Sequence, residues 1–407
     1  LKDTDLIWKE LNKELKVIKK FAGIAKYVKD IEKLEYNVIS AEEFSEIYLQ
    51  YGDDIESIYP LFPLQQEMSL SSVKSVSSYI NHVSWTSKSS LEEFVNRFTQ
   101  VYYKYEALRT SIYYTEHLNF VQIIKNKEIP LQFNYYSIDG LNKEKQEEFL
   151  NRIIQEEAGK YIPRNENKLY GIYIFKIDND HIRILWLFNH LILDGWSIGI
   201  ILRELWSEIN FQHESSVTNL PYIKWLLSNK NDTEIHQVNS DEQKPLNRIG
   251  RVFSNEELTS LEMSHNVDKY FSISKDLSDN ILTFSKNNKI SVANILGSLW
   301  GYILCSLSNT NTVIFGSVNS GRNCPIDNIE NQVGLFITTN PVYFKVYNSE
   351  SILVFLERNS KILDELNQGY FVNQSYFRRQ YGLNQKETLF ETIFVFENYP
   401  EPEANSK

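Results

Sequence analysis

Apolar residues recur at steps of three and four along the first fifty positions. "LIWKELNKELKVI" places Leu6, Ile7, Leu11, Leu15 and Ile18 near one stripe. "FAGIAKYVKDIEKL" repeats the pattern with Phe21, Ile24, Tyr27, Val28, Ile31 and Leu34. "SAEEFSEIYLQY" opens with Ser40 and has Glu43 three residues on, the signature of a capping box at a helix start. The pattern predicts three short helices, too little chain for an independent core.

From "SIYPLFPLQQEM" (57–68) the texture changes, and helical periods alternate with aromatic and β-branched runs. "LEEFVNRFTQVYYKYEALRTSIYY" predicts a helix running into a strand. "LYGIYIFKIDNDHIRILWLFNH" predicts a hairpin around Asp178, Asn179 and Asp180. "SIGIILRELWSEI" predicts an amphipathic helix, and the polar stretch 229–251 a linker or loop. The second half begins with a predicted strand, "KYFSIS", followed by the helices "ISKDLSDNILTFSKNN" and "SVANILGSLWGYILCSL". The strand "TVIFGSVNSGR" comes next. "NQVGLFITTNPVYFKV", "SILVFLERNSKILDELN" and "LFETIFVFENYP" then predict strand, helix and strand. No sequence repeat is visible, but the two halves share a rhythm that predicts two α/β lobes.

Composition narrows the class. The 407 residues are 42% hydrophobic and 14% aromatic, with 25 Tyr and 23 Phe, ample for a packed core. No apolar run is long enough to span a bilayer, and "LKDTDLIWKE" lacks the apolar stretch of a secretory signal. The cysteines Cys305 and Cys324 supply no disulfide framework, which fits a reducing, cytoplasmic setting. A net charge of −11 argues against nucleic acid as partner. None of the seven His pairs with another His or a Cys at metal-ligand spacing, so no metal is assigned.

Candidate chemistry concentrates in "FNHLILDGWS" (188–197). His190 follows an apolar strand and precedes a helix, a place where a loop holds a side chain at the mouth of a cleft. Imidazole moves protons near neutral pH. Asp194 could orient the ring, hold the loop through an Arg, or cap the next helix. Gly195 would permit a tight turn. By itself the stretch favours a buried strand end over a catalytic loop.

Seven segments occur in order: "YPLFPLQQEM", "YEALRTSI", "NHLILDGWS", "LPYIKWL", "FGSVNSGR", "VGLFITTNPV" and "LFETIFVFENYP". Together, over about residues 57–400, they resemble the ordered motifs of the condensation domains of nonribosomal peptide synthetases. The resemblance implies an α/β fold of two chloramphenicol acetyltransferase-like lobes set as a V-shaped pseudo-dimer with a tunnel between them. The lobes are placed at 51–228 and 229–407, after a small helical segment at 1–50. It implies amide formation between a donor acyl or peptidyl thioester and an acceptor aminoacyl thioester. Both are tethered by phosphopantetheine to carrier proteins, which with neighbouring synthetase domains are the implied partners; no membrane partner is implied.

Residue roles follow by resemblance. His190 matches the second His of the family's His-His-x3-Asp-Gly motif, as base or as positioner of the amine. Asp194 matches the motif Asp, whose partner would be Arg322. Gly195 would keep the tunnel open. Trp196 and Ser197 stand in the usual places, and Ser197 is expected to cap the following helix. Arg109 would brace the core near the site, and Asn398 would end a strand near the tunnel.

Departures from the family are informative. Asn189 replaces the first motif His; with a donor and an acceptor it can preserve that residue's bonds, so a competent site is expected. Residues 1–50 resemble parts of a peptidyl carrier protein, but the loop bearing the modified Ser is absent between Lys20 and Phe21. Residues are also expected to be missing near Asn231 and after Lys407. The cyclising branch lacks His at the second position, so His190 argues against it. Epimerisation, a coenzyme A-dependent acyltransferase and a catalytically silent carrier-binding module are the alternatives.

Overall fold

The computed structural model of the chain describes residues 39–72, 79–114, 120–127, 130–161, 168–178, 180–206, 217–229, 269–367 and 389–397. The expectations at Lys20, Phe21, Asn231 and Asn398, and for the helices of residues 6–34, lie outside these. Two compact units emerge. One closes at Asn219 and takes back the short stretch Gln332–Leu335; the other comprises Leu220–Asn331 and resumes at Phe336. Each mixes helices and strands.

Among the described residues, the first helix of the first unit is Ala41–Tyr51. Ser40 Oγ accepts from Glu43 N, and the Glu43 carboxylate accepts from Ser40 N at 2.7 Å, so the capping box read from the sequence is made on both sides. Phe44, Ile47 and Tyr48, one helical face, pack with Ile55, Tyr113, Val121 and Ile123. The strands of this unit are β1 (Ile55–Pro60), β2 (Ile80–Ser87), β3 (Thr110–Tyr114), β4 (Phe120–Lys125), β5 (Phe133–Ser137), β6 (Tyr170–Lys176) and β7 (Ile182–Asn189). They form an antiparallel sheet β1-β4-β3 and a mixed sheet β2-β7-β6-β5, in which β5 and β6 run parallel.

The β6–β7 hairpin is antiparallel from Tyr170↔Phe188 to Lys176↔Ile182. Asp178 Oδ1 closes its turn by accepting from the backbone of Asp180 and His181, both at 2.8 Å. Inner strand β7 is buried on both faces, which explains its unbroken apolar run. With the two-residue period, Leu185 and Leu187 join a cluster with Ile138, Leu150, Ile153, Tyr161, Tyr173 and Phe175. Trp186, on the other face, meets the Phe98 ring edge-on at 5.5 Å. Phe98 belongs to the helix Leu91–Lys104, which the sequence predicted, but a 3-10 turn, Glu106–Arg109, separates it from β3.

In the second unit, β8 (Thr312–Asn319) lies between β9 (Thr338–Lys345), antiparallel, and the two-residue β10 (Ile393–Phe394), parallel. Helices Lys275–Asn288, Val292–Leu307 and Ile352–Leu366 accompany this sheet. Leu304, Cys305, Val313, Phe315, Val342, Phe344 and Leu363 form its core. Gly301 interrupts an apolar helix because a Cβ there would stand 2.6 Å from the Phe344 ring. No single helix among the described residues is long and apolar enough to cross a membrane.

Two sequence expectations are corrected. "KYFSIS" is not a strand: residues 269–274 pair with no strand among the described residues, Tyr270 and Phe271 are 90% and 88% exposed, and Ser274 instead caps the next helix. β-Propensity without a ladder partner does not make a strand. Within the tail motif, only Ile393 and Phe394 pair among the described residues.

Removing one half of the Ser40 capping box tests the first helix. Ser40→Ala is expected to lower stability by about 1 kcal/mol, read as a shift in the urea unfolding midpoint with an unchanged slope.

Candidate functional site

The site residues begin where β7 runs out. Asn189, its last residue, is 2% exposed and lies on the Leu185–Leu187 face. Its Nδ2 donates to Tyr161 O at 3.0 Å, and its Oδ1 accepts from Leu191 N at 3.0 Å. Its own N–H reaches Leu169 O at 2.7 Å. The Tyr161 ring is anchored in turn. Tyr173 OH donates to Glu157 at 2.7 Å, so the 2.5 Å contact between the two hydroxyls is a donation from Tyr161 to Tyr173. Burial, and then hydrogen bonding to Tyr161 and Glu157, push the Tyr173 hydroxyl far above its ordinary pKa. Burial also raises the Glu157 carboxyl, but bonds from Lys160 and Tyr173 outweigh it and hold the group below its usual range.

His190 follows in a turn, its N–H donating to Tyr79 O at 2.8 Å. Leu191 O accepts from Gln65 Nε2 at 2.7 Å. The backbone is thus held on both sides of His190, while the buried ring atom Nδ1 has no hydrogen-bond partner among the described residues. An orphaned buried acceptor or donor costs about 1–3 kcal/mol, a cost that sites for ligands and chemistry sustain.

Asp194, 0% exposed, caps the helix Gly195–Trp206. Its Oδ1 accepts from Ser197 N at 2.8 Å, and Ile198 N donates to its backbone O at 3.1 Å. Ser197 is therefore not the cap. It stands in the first turn, with Oγ 2.7 Å from Asp194 Oδ1 and 2.8 Å from Gly334 O, and accepts from Gly334 N at 3.0 Å. Asp194 N also donates to Gly334 O at 3.1 Å. Gly195 is the first helical residue, at the turn between β7 and this helix. Trp196 is half-buried in the same helical turn.

Arg109 is 2% exposed and donates through Nη1 to Glu56 and to Lys125 O, tying β1 to β4. Nearby, the Tyr102 hydroxyl is pushed up to about 12 by burial, against the lowering effect of Arg109. Glu106 is 5% exposed and accepts from Asn219 N at 3.0 Å, while Asn219 Nδ2 donates to Val333 O at 3.1 Å. Burial raises the Glu106 carboxyl above its ordinary value, more than Asn219, Thr218 and Arg109 lower it.

Within the second unit, Gly321 has φ 67°, and a Cβ there would stand 1.7 Å from Phe336 O. Only glycine permits this approach. The Arg322 guanidinium lies 4.6 Å over the Phe336 ring, with Nη1 donating to Ser320 O at 3.2 Å.

The structure groups Asn189, His190, Asp194, Gly195, Trp196 and Ser197 around one strand-to-helix turn, with Arg109 elsewhere in the same unit and Arg322 in the other. Sequence reading singled out the motif containing Gln65 but assigned that residue no role. It also missed Tyr161, Glu106 and Gly334. The only signal was a polar residue inside a largely apolar stretch.

Two variants test this framework. Ser197→Ala leaves Gly334 N–H and its neighbours short of partners, and is expected to lose about 1–3 kcal/mol in urea unfolding. Glu106 binds its proton more tightly when folded, so stability present at low pH is lost as pH rises through the ordinary and then the raised value. Glu106→Gln keeps an acceptor for Asn219 and removes this loss. Its stability relative to the parent is expected to grow with pH in unfolding series from about pH 4 to about pH 8.

Known proteins share this architecture. The chain is 27% identical over 390 residues to Bacitracin synthase 1 of Bacillus licheniformis, covering 91% of this chain and 7% of that protein. It is 25% identical over 310 residues to Gramicidin S synthase 2 of Brevibacillus brevis, covering 73% and 7%. The chain thus spans less than a tenth of the length of these relatives. Among solved structures, the condensation domain of the Monacolin K polyketide synthase MokA superposes with a TM-score of 0.61 at 14% identity, covering 84% of this chain and 82% of that one. The cyclization-docking bidomain of EpoB from Sorangium cellulosum gives 0.64 at 11%, covering 89% and 78%. These likenesses are likenesses of fold. The sequence profile of the condensation domain matches residues 55–407, the greater part of the chain, and the chain belongs to the condensation-domain family.

Proposed function

We propose that the chain forms an amide bond between a donor acyl or peptidyl thioester and the amine of an acceptor aminoacyl thioester, as an acyltransferase of nonribosomal peptide synthesis. The observation that carries this reading is His190: its backbone is fixed on both sides, and its buried Nδ1 has no partner among the described residues. The acceptor nitrogen adds to the thioester carbonyl, the C–S bond breaks, and the amine's proton is passed on as the thiol leaves. His190 holds the amine in line and receives or steadies that proton. Both substrates arrive on the phosphopantetheine arms of carrier proteins, which are substrates here and not resident groups.

The pair of Asp194 with Arg322 belongs to the proposal. A carrier-like segment within residues 1–50, supported by its helical pattern and by its likeness to parts of a peptidyl carrier protein, would stand before the condensation domain, while the helix Ala41–Tyr51 packs on the first unit.

The test is product formation by the full chain from loaded donor and acceptor carriers, followed by mass spectrometry. Amide product is expected from the parent and from Asn189→His, and none above background from His190→Ala. A parent that forms no amide, or a His190→Ala variant as fast as the parent, overturns the reading. A D-configured donor appearing without any acceptor would transfer it to epimerisation. Tight carrier binding without turnover would indicate a recruitment module.

A further inference from the structure

Gln65 is 1% exposed and lies in the helix Pro63–Ser72, far in sequence from the His190 turn. Three bonds fix its amide. Oε1 accepts from Phe62 N at 2.7 Å; Nε2 donates to Leu191 O at 2.7 Å and to Gln122 Oε1 at 3.2 Å. The orientation is unambiguous, because Phe62 N–H can face only an oxygen and Leu191 C=O only a donor. Gln122, 5% exposed on β4, passes the chain on through Nε2 to Pro60 O at 2.9 Å. Two buried glutamines therefore run from the end of β1 to the carbonyl of Leu191, the residue after His190.

Burying two primary amides is costly unless every group is paired. An apolar pair would fill the same volume without that cost. What it could not do is hold the Leu191–Ile192 peptide, the second after His190. Asn189 already serves Leu191 N and Tyr79 O serves His190 N. Gln65 supplies the next constraint, on Leu191 O in the Leu191–Ile192 peptide, and so fixes the far end of the turn that carries the imidazole. Ring position matters more than ring basicity where a nucleophile must be held in line.

We infer that Gln65 is a positioning residue for His190, acting through Leu191 O and buttressed by Gln122. The inference rests on the reading of His190 as the residue at the reacting centre, but its test does not depend on that reading alone.

The experiment compares parent, Gln65→Met and Ser40→Ala in the full chain. It reads thermal unfolding, single-turnover amide formation with saturating loaded carriers, and the 15N ring signals of His190, assigned by their loss in His190→Ala. Gln65→Met is expected to slow turnover by about ten- to a hundredfold, to leave the carrier KM within about twofold, and to shift or broaden the His190 ring signals. Ser40→Ala, which only loosens a distant helix, leaves both unchanged. Unaltered rate and ring signals in folded Gln65→Met overturn the inference, as does an equal rate loss in Ser40→Ala. If Gln65→Met does not fold, the near-isosteric Gln65→Glu, which keeps the Phe62 bond but cannot donate to Leu191 O, is read in the same way. If the parent forms no amide, the proposed function fails, and the ring signals still decide the positioning role: moved in the variant, it stands; unmoved, it falls.

Discussion

A strand buried on both faces cannot stop at an arbitrary point, because each peptide group beyond its last ladder bond must find a partner away from water. β7 meets this constraint at the residues that matter most for the chemistry. Tyr79 and Asn189 take up the peptide groups on either side of His190, and Gln65 takes up the next one, at Leu191 O. The helix that follows repeats the solution, with Asp194 and Ser197 satisfying its first turn and binding Gly334 from a distant part of the chain. In each case a protein polar group replaces water, inside a turn whose Leu191, Ile192 and Leu193 are fully buried.

The same logic explains the charged groups buried in the first unit. Glu106 and Arg109 flank a single 3-10 turn, and each is spent on other segments: Glu106 on Asn219, Arg109 on Glu56 and Lys125 O. Asn219 in turn holds Val333 O. The stretch Gln332–Leu335 is thus tied to the first unit by Asn219, Ser197 and Asp194, with Val333 and Leu335 buried beside these bonds. Such polar anchors contribute little net stability when complete and cost much when broken. They specify the arrangement more than they strengthen it.

Most of the fold was legible in the sequence. The capping box at Ser40 and Glu43, the hairpin around Asp178 and the apolar run of β7 are local patterns, set by side-chain periodicity and turn chemistry within a few residues. Where the pattern failed, a partner was missing: "KYFSIS" has the residues of a strand, but no strand beside it among the described residues. Within the site, His190, Asp194 and Asn189 stood out because they interrupt or end an apolar stretch. Ser197 was placed correctly along the chain but is not the cap. The choice of cap between Asp194 and Ser197 depends on backbone angles that spacing does not fix.

By itself, the sequence determined the alternation of helices and strands, the family resemblance carried by seven ordered motifs, and the candidacy of His190. Tertiary structure alone decided which distant residues meet at that candidate. Gln65 lies 126 residues from Leu191, and Ser197 lies 137 from Gly334. Hydrogen bonds of that span leave no periodic trace, because they depend on how separate elements are packed and not on the order of residues within any one of them.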